Sequence, residues 1–528
     1  MNPRVATQAL SNNALATAAI AGSARPDWYE PIPHDAGAWG ERIDAVRQHS
    51  PRDWFSRLAP AFDAAGKAKS RLEASADGRG VVITTGQQPG LFGGPLYTLT
   101  KALSALALAD TLQETSGVPV APVFWAATDD TDFKEASTTV VSVRGGAQLL
   151  RIDHVGVLGP PMSAMPLGDV SLQLEALRNA AVSPVDLRPL ALLEENYRQG
   201  KTVGAAFVGL LRELFEELGI AVIDASHSAT RSAAKSLLTG ALSSAAEIAA
   251  RVAERNRELE EAGFPVQVQD VPGLSLVFST SSGARRRVPI KSAAKQTVTD
   301  DMGPNVLLRP IVERAILPTA TYIGGPAEIA YFAQISPIAD VLGVPRPTIV
   351  PRWSCTIIEP HVEKILEKLY LLPEDLRDPH EAESRIARER LPKEVLEELD
   401  ATRGFLDERI DALTEAVRAG QAPVTPAVTG GLRANLMRRL ERFERRLIGA
   451  SKRRHADLMQ EIGTARGSLY PLGKSQERAL NFVPFLARYG EGLRNDMLDG
   501  ARDHAANLVG GRRTPGRSRE AVSAREQA

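Results

Sequence analysis

Cysteine is almost absent from the 528 residues. Cys355 stands alone, so neither an intramolecular disulfide nor a Cys-x-x-Cys metal site can form, and the composition suits a reducing cytosol. A surplus of charge is missing too: 63 Lys and Arg face 64 Asp and Glu, which leaves almost no net field to attract nucleic acid or an anionic membrane. No stretch approaches the roughly 18 apolar residues that a membrane helix needs. The Ala-rich segment from Ala9 to Ala21 is broken by Ser11, Asn12 and Asn13 and preceded only by Arg4, which argues against a signal peptide. A cytoplasmic protein with neither nucleic acid nor membrane as a partner is the expectation. His154 and His227 lack metal-ligand spacing, and no repeat of solenoid length is present.

What is present is an alternation of strand and helix. Val81 to Thr85 is a β-branched run that stops at Gly86, and Gly90, Gly93, Gly94 and Pro95 lead into an apolar helix predicted from about Pro95 to Gln113. Val118 to Trp125 is the next strand. A second unit pairs the helix of Phe207 to Leu218 with the strand Ile220 to Asp224, and a third runs from Ala320 through Gly324 and Gly325 into a helix at Glu328 to Gln334. Alternation of this kind predicts an α/β, Rossmann-like, doubly wound parallel sheet over residues 1–372, with insertions near 138–195 and 264–308, the latter holding a hairpin around Ser281-Ser282-Gly283. From about 373 to 463 the chain turns to charged helix. Leu399, Leu406 and Leu413 fall seven apart while Arg403, Ile410 and Val417 fill the rest of the seam, and a Gly/Pro-bearing loop at 420–431 turns the chain back, which predicts an antiparallel coiled-coil hairpin with a seam free for a second copy. The segment 464–509 is expected to pack on the core, and 510–528, without apolar periodicity, to be disordered.

Four segments carry candidate chemistry. In the loop from Thr84 to Pro95, glycines including Gly86, Gly90 and Gly94 allow backbone N–H groups to converge on an anion at a helix start, and Gln87 and Gln88 add side-chain amides; a plain tight turn is the alternative. Asp129, Asp130 and Asp132 follow the next strand so closely that they repel one another, so a cation, a substrate ammonium or a proton is expected among them. Asp130 and Asp132 are the catalytic candidates, for an ammonium group or for Mg²⁺, with a solvated helix cap as the competing reading. Asn305, Arg309 and Arg314, beside the junction of Tyr322, Gly324, Gly325 and Glu328, offer donors to a carboxylate or phosphate. The segment Gly467 to Ser475 resembles a P-loop only superficially, because five residues separate Gly467 from Gly473 and no strand precedes them; the cluster that includes Gln476 and Arg478 offers contacts to a ligand where the C-terminal segment meets the core, with a structural hydrogen-bond network as the competing reading. The basic run Arg433 to Arg454 reads as a coiled-coil flank, since its one aromatic residue, Phe443, belongs to the apolar stripe. Cys355, in a β-like run, reads as a small buried residue.

Taken together, the loop at 85–98, Val120 to Trp125 with its acidic end, Pro304 to Pro310, Leu317 to Gln334, and Gln476-Glu477-Arg478 with Asn481 resemble the bacillithiol biosynthesis cysteine-adding family in order and spacing, from about residue 80 to 490. The resemblance implies a Rossmann-like core with two connecting insertions, a coiled-coil domain supporting a homodimer, and a ligase that adds L-cysteine to glucosaminyl malate as the last step to bacillithiol. Joining a carboxylate to an amine in water requires an activated carboxyl group, so a nucleotide, with ATP expected, is implied as co-substrate, with Mg²⁺ a candidate beside it. One departure stands out: Asp129-Asp130-Thr131-Asp132-Phe133 replaces the family's Glu-Asp-His-Asp-Phe, which removes any imidazole at that point. The alternatives are another nucleotide-dependent ligase or nucleotidyl transferase, or a coiled-coil scaffold with a ligand-sensing core.

Overall fold

The computed structural model describes residues 2–10, 13–156, 159–281, 283–378, 380–420 and 424–510. Residues 511–528, most of the tail expected to be disordered, lie outside the described residues, as does Ser282 of the expected hairpin tip. Two compact units divide the chain. The first comprises 1–141, 149–357 and the segment from Gln476 onward; the second comprises 142–148 and 358–475.

The first unit is built on five parallel strands: β1 (Val81–Gln87), β2 (Val120–Ala126), β3 (Ala221–Asp224), β7 (Thr319–Gly324) and β8 (Ile349–Pro351). Their order is β8-β7-β1-β2-β3. Between β3 and β7 in sequence, the insertion at 264–308 folds as a three-stranded antiparallel sheet of β4 (Leu274–Ser279), β5 (Arg286–Pro289) and β6 (Met302–Pro304). The parallel strands read as apolar runs because helices cover both faces, and every residue of β2 and β7 is buried. β1 and β2 pair in register from Val81 opposite Val120 to Gln87 opposite Ala126. That closeness explains Gly86, where a Cβ would come within 2.7 Å of the Trp125 carbonyl oxygen.

From β1 the chain moves to β2 and β3 on one side, while β7 and β8 add on the other, so the order reverses direction at β1. Ligands of doubly wound sheets bind at the carboxyl ends of the strands at such a switch point. Helix α1 (Leu96–Ser116) follows β1 and is buried nearly all round, consistent with its apolar sequence, before Gly117 ends it in the left-handed conformation. Two shorter helices complete the surroundings of the switch point: α2 (Arg309–Ile316), ahead of β7, and α3 (Pro326–Phe332), after it. A long C-terminal helix, Val483–Val509, packs along α1.

In the second unit, α4 (Lys393–Ala419) and α5 (Pro426–Arg454) form an antiparallel hairpin. Leu399 and Ile410 are buried in it, Glu444 receives hydrogen bonds from Arg388 at 3.0 Å and Arg403 at 2.8 Å, and Thr414 bonds Thr429 at 2.8 Å. α6 (Ala456–Leu469) follows, and its Gly463 and Gly467 lie against the backbone at Gly145 and Gly146 too closely for any side chain.

Candidate functional site

At the carboxyl ends of β1, β2 and β7 opens a cleft of about 420 Å³, walled on one side by the antiparallel insertion through Phe278, Arg285, Arg287 and Pro304. Gly86, Gln87, Gln88, Asp130, Asn305, Arg309, Tyr322, Gly325, Glu328 and Arg478, all proposed from sequence, line it together. Four segments separated by up to several hundred residues thus meet at one place.

The floor is a network of buried charges. Lys101, the one basic residue of α1, spends its three donors on the Gly86 carbonyl at 2.8 Å, Gln87 Oε1 at 3.0 Å and Glu328 Oε2 at 2.7 Å. Burial lowers the Lys101 ammonium's affinity for its proton, against the opposing pull of Glu328. Burial also pushes the Glu328 carboxyl up, but Lys101, the Gly325 N–H at 2.8 Å and the Tyr322 hydroxyl at 2.7 Å outweigh it and hold that carboxyl below its ordinary range. Beside them Arg309 donates to Glu313 at 2.9 Å and to the Tyr331 hydroxyl at 3.1 Å, and lies 4.9 Å from the Tyr322 ring centre. Arg352 makes a two-pronged pair with Glu477, at 2.8 and 2.6 Å.

At the insertion side the charge changes sign. Asp129 and Asp130 both face Arg285, at 3.6 and 3.9 Å, so the cation expected among the clustered carboxylates is supplied by the chain itself. Arg285 is in turn held over the Phe278 ring at 4.2 Å and donates to the Pro304 carbonyl. Burial raises the Asp129 carboxyl's pKa above its ordinary value, with Arg285 opposing. Asp130 accepts from Gln88 Nε2 at 2.5 Å and from the Asp132 N–H at 2.8 Å, which holds its carboxylate in place at the cleft wall.

Other sequence candidates fall outside the cleft. Asp132 is an exposed N-cap whose side chain accepts from the Glu135 N–H at 3.1 Å, so the capping reading describes its position. Gly90 and Gly94 belong to a buried turn, with the Gly93 N–H bonded to the Gly90 carbonyl and Tyr197 hydroxyl and the Gly94 N–H to the Leu91 carbonyl; these amides are already engaged. Gly324 packs on Ile349, and Gln476 clasps the Ile357 backbone through both ends of its amide, at 2.7 and 2.8 Å. Arg314 is buried and donates to Ser50.

Sequence reading passed over Lys101, Tyr97, Asp129, Arg285, Arg287, Tyr331 and Arg352 as site residues. A single lysine in the apolar run Leu-Thr-Lys-Ala-Leu was a legible signal, because a lone buried ammonium demands partners. Arg285 and Arg287 carried none, since only the fold of the insertion brings them to the cleft.

Two family models match consecutive parts of the chain. A model described as the N-terminal Rossmann-like domain of bacillithiol biosynthesis BshC matches residues 22–353, and one described as the C-terminal coiled-coil domain of BshC matches residues 355–507. A protein of Koribacter versatilis is 33% identical over 438 residues, 79% of this chain and 81% of its own. One of Solibacter usitatus is 31% identical, covering 81% of this chain and 84% of its own, and one of Salinibacter ruber is 27% identical over 89% and 94%. All three carry the name "Putative cysteine ligase BshC".

Proposed function

The chain belongs to the bacillithiol biosynthesis BshC family, and from that premise we propose that it is a ligase forming the amide between the carboxyl group of L-cysteine and the amine of glucosaminyl malate. The observation that carries this reading is the division of charge in the cleft. Asp129 and Asp130 share Arg285 at the insertion side, Lys101, Arg309 and Arg352 stand with Glu328, Glu313 and Glu477 on the floor, and Arg287 and Arg478 line the cleft with no ion pair among the described residues. A cleft of two signs suits substrates of two signs, and both an amino acid and an amino-sugar malate carry an ammonium and at least one carboxylate.

In the proposed reaction Asp130, with Asp129, holds an ammonium, and the arginines hold carboxylate or phosphate oxygens. With ATP as our choice of nucleotide, a cysteine carboxylate oxygen attacks the α-phosphorus and releases pyrophosphate, giving an acyl-adenylate, or attacks the γ-phosphorus and releases ADP, giving an acyl-phosphate. The unprotonated amine then attacks the carbonyl carbon to form the C–N bond, the bond from that carbon to the phosphate oxygen breaks, AMP or phosphate departs with the electron pair, and the amine's surplus proton passes to solvent. Because the amides of Gly93 and Gly94 are engaged within their own turn, we assign stabilisation of the phosphate charge to Arg287, Arg309 and Arg478. Asp129 and Asp130 already share Arg285, so Mg²⁺, where it takes part, would be held chiefly by the phosphates of the nucleotide.

Purified protein mixed with cysteine, glucosaminyl malate and ATP should yield bacillithiol by mass spectrometry, and cells lacking the gene should accumulate glucosaminyl malate. Unchanged bacillithiol in those cells, together with an inactive purified protein, would overturn the proposal.

A further inference from the structure

Beneath the cleft lies a carboxyl group that the reaction above does not use. Glu313 is 2% exposed. It sits one turn after Arg309 on α2 and accepts from its guanidinium at 2.9 Å, while its other oxygen accepts from the Thr84 hydroxyl of β1. Tyr322 of β7, Tyr331 and Glu328 of α3, and Lys101 of α1 complete the polar groups around the pair. Arg309 itself reaches the cleft. A guanidinium has five N–H donors, of which Glu313 and Tyr331 take two. One turn earlier, Asn305 is also buried and lines the cleft; its Oδ1 accepts from the Leu308 N–H, and its Nδ2 has no partner among the described residues. Asn305, four residues ahead of α2, and Arg309, its first residue, both line the cleft with donors to spare, and these offer a place for a carboxylate oxygen whose strength of binding depends on how far Glu313 neutralises Arg309.

We propose that Glu313 is a positioning residue that sets, through Arg309, the affinity of the cleft for a carboxylate of the substrate, and that it takes up a proton when that carboxylate binds. The inference rests on the reading that the cleft accepts a carboxylate-bearing substrate. Burial is the main reason that the Glu313 carboxyl is pushed up to about 7, with Arg309 and the Thr84 hydroxyl pulling the other way and Glu328 adding to the rise. A second carboxylate arriving at Arg309 competes for the same cation and adds negative charge nearby, so it raises the Glu313 pKa further. Linkage fixes the sign: binding takes up protons above about pH 7, affinity is greatest below it, and affinity falls as pH rises through it.

The test is calorimetry of glucosaminyl malate binding to the full chain at pH 6 to 9, in two buffers of different ionisation heat. The parent should take up a fraction of a proton near pH 8 and lose roughly 5- to 10-fold in affinity between pH 6 and pH 8. Glu313→Gln should bind at pH 8 about as tightly as the parent does at pH 6, with no proton uptake linked to this site. Thr84→Val removes the hydroxyl that stabilises the carboxylate, so its window of proton uptake should move to higher pH; this variant decides the matter if Glu313→Gln does not fold. A merely structural Glu313 predicts weaker binding in Glu313→Gln with an unchanged pH profile, and that result, or a Thr84→Val window that does not move, overturns the inference while leaving the cleft reading intact. Absence of any binding by the parent defeats the cleft reading itself.

Discussion

Asp130 and Asp132 look equivalent in sequence, two carboxylates spaced to share a strand face, but a turn separates their surroundings. Asp130 faces Arg285 and is held by Gln88, whereas Asp132 caps a short helix and is exposed. Asp130→Asn preserves shape and removes charge, so cysteine addition should fall about tenfold or more, a loss of about 1.4 kcal/mol of transition-state binding, with melting unchanged or raised. Asp132→Ala removes only a cap and should lower stability by about 1 kcal/mol while the activity of the folded protein persists. Equal activity loss in both variants would contradict this separation. Cys355 poses the opposite case: it is fully buried, and burial drives its thiol pKa up, away from the thiolate that nucleophilic chemistry needs. Cys355→Ser should keep most of its ligase activity, measured per folded molecule; complete loss would return the sulfur to the mechanism. Residues whose place in the cleft follows from a local pattern, such as Asp130 at the end of its strand, were legible in the sequence. Arg285 and Arg352 were not, because their partners Asp129 and Glu477 lie more than a hundred positions away.

At the scale of elements, the parallel sheet was readable because β-branched and apolar residues dominate its strands and because β1 and β7 run into glycine before their helices. Predicted and observed helix limits agree within a few residues at α1, where Gly117 is the stop. Strand order was not readable, since nothing local tells β1 whether β7 or β3 will lie beside it, and the cleft exists only because β7 does. Glycine carries two meanings in this region that sequence alone does not separate. Gly90 and Gly94 shape a buried turn, while Gly86 lets β1 and β2 approach at the cleft edge. Gly86→Ala drives a methyl group to within 2.7 Å of the Trp125 carbonyl, so the strands must shift where Gln87 and Lys101 meet. A lower melting temperature together with reduced cysteine addition is expected, and a variant with parent-like melting would show that the strand ends yield more easily than their packing suggests.

Over the whole molecule, the helical hairpin of α4 and α5 has more apolar surface than its own pairing consumes. The heptad reading placed Leu399, Leu406 and Leu413 on one seam; Leu399 and Ile410 are buried there, but Leu413 is 45% exposed, and Phe405 and Phe443 are 62% and 51% exposed. Large side chains left in water on neighbouring helices mark a surface meant for covering, since isolated ones are ordinary but a run along one hairpin is not. We propose that a second copy covers it. The hairpin carries its own counter-charges where Asp407 and Asp411 face Arg433, so the exposed apolar side chains, not an unmatched charge, carry the case for a like partner. Phe405→Glu and Phe443→Glu place charge on exposed positions and leave Leu399 and Ile410 untouched, so the hairpin itself should fold with unchanged far-ultraviolet dichroism. Light scattering should then report a dimer for the parent and a monomer for the double variant. A parent that is monomeric at micromolar concentration, or a double variant that remains dimeric, would remove the hairpin from the assembly.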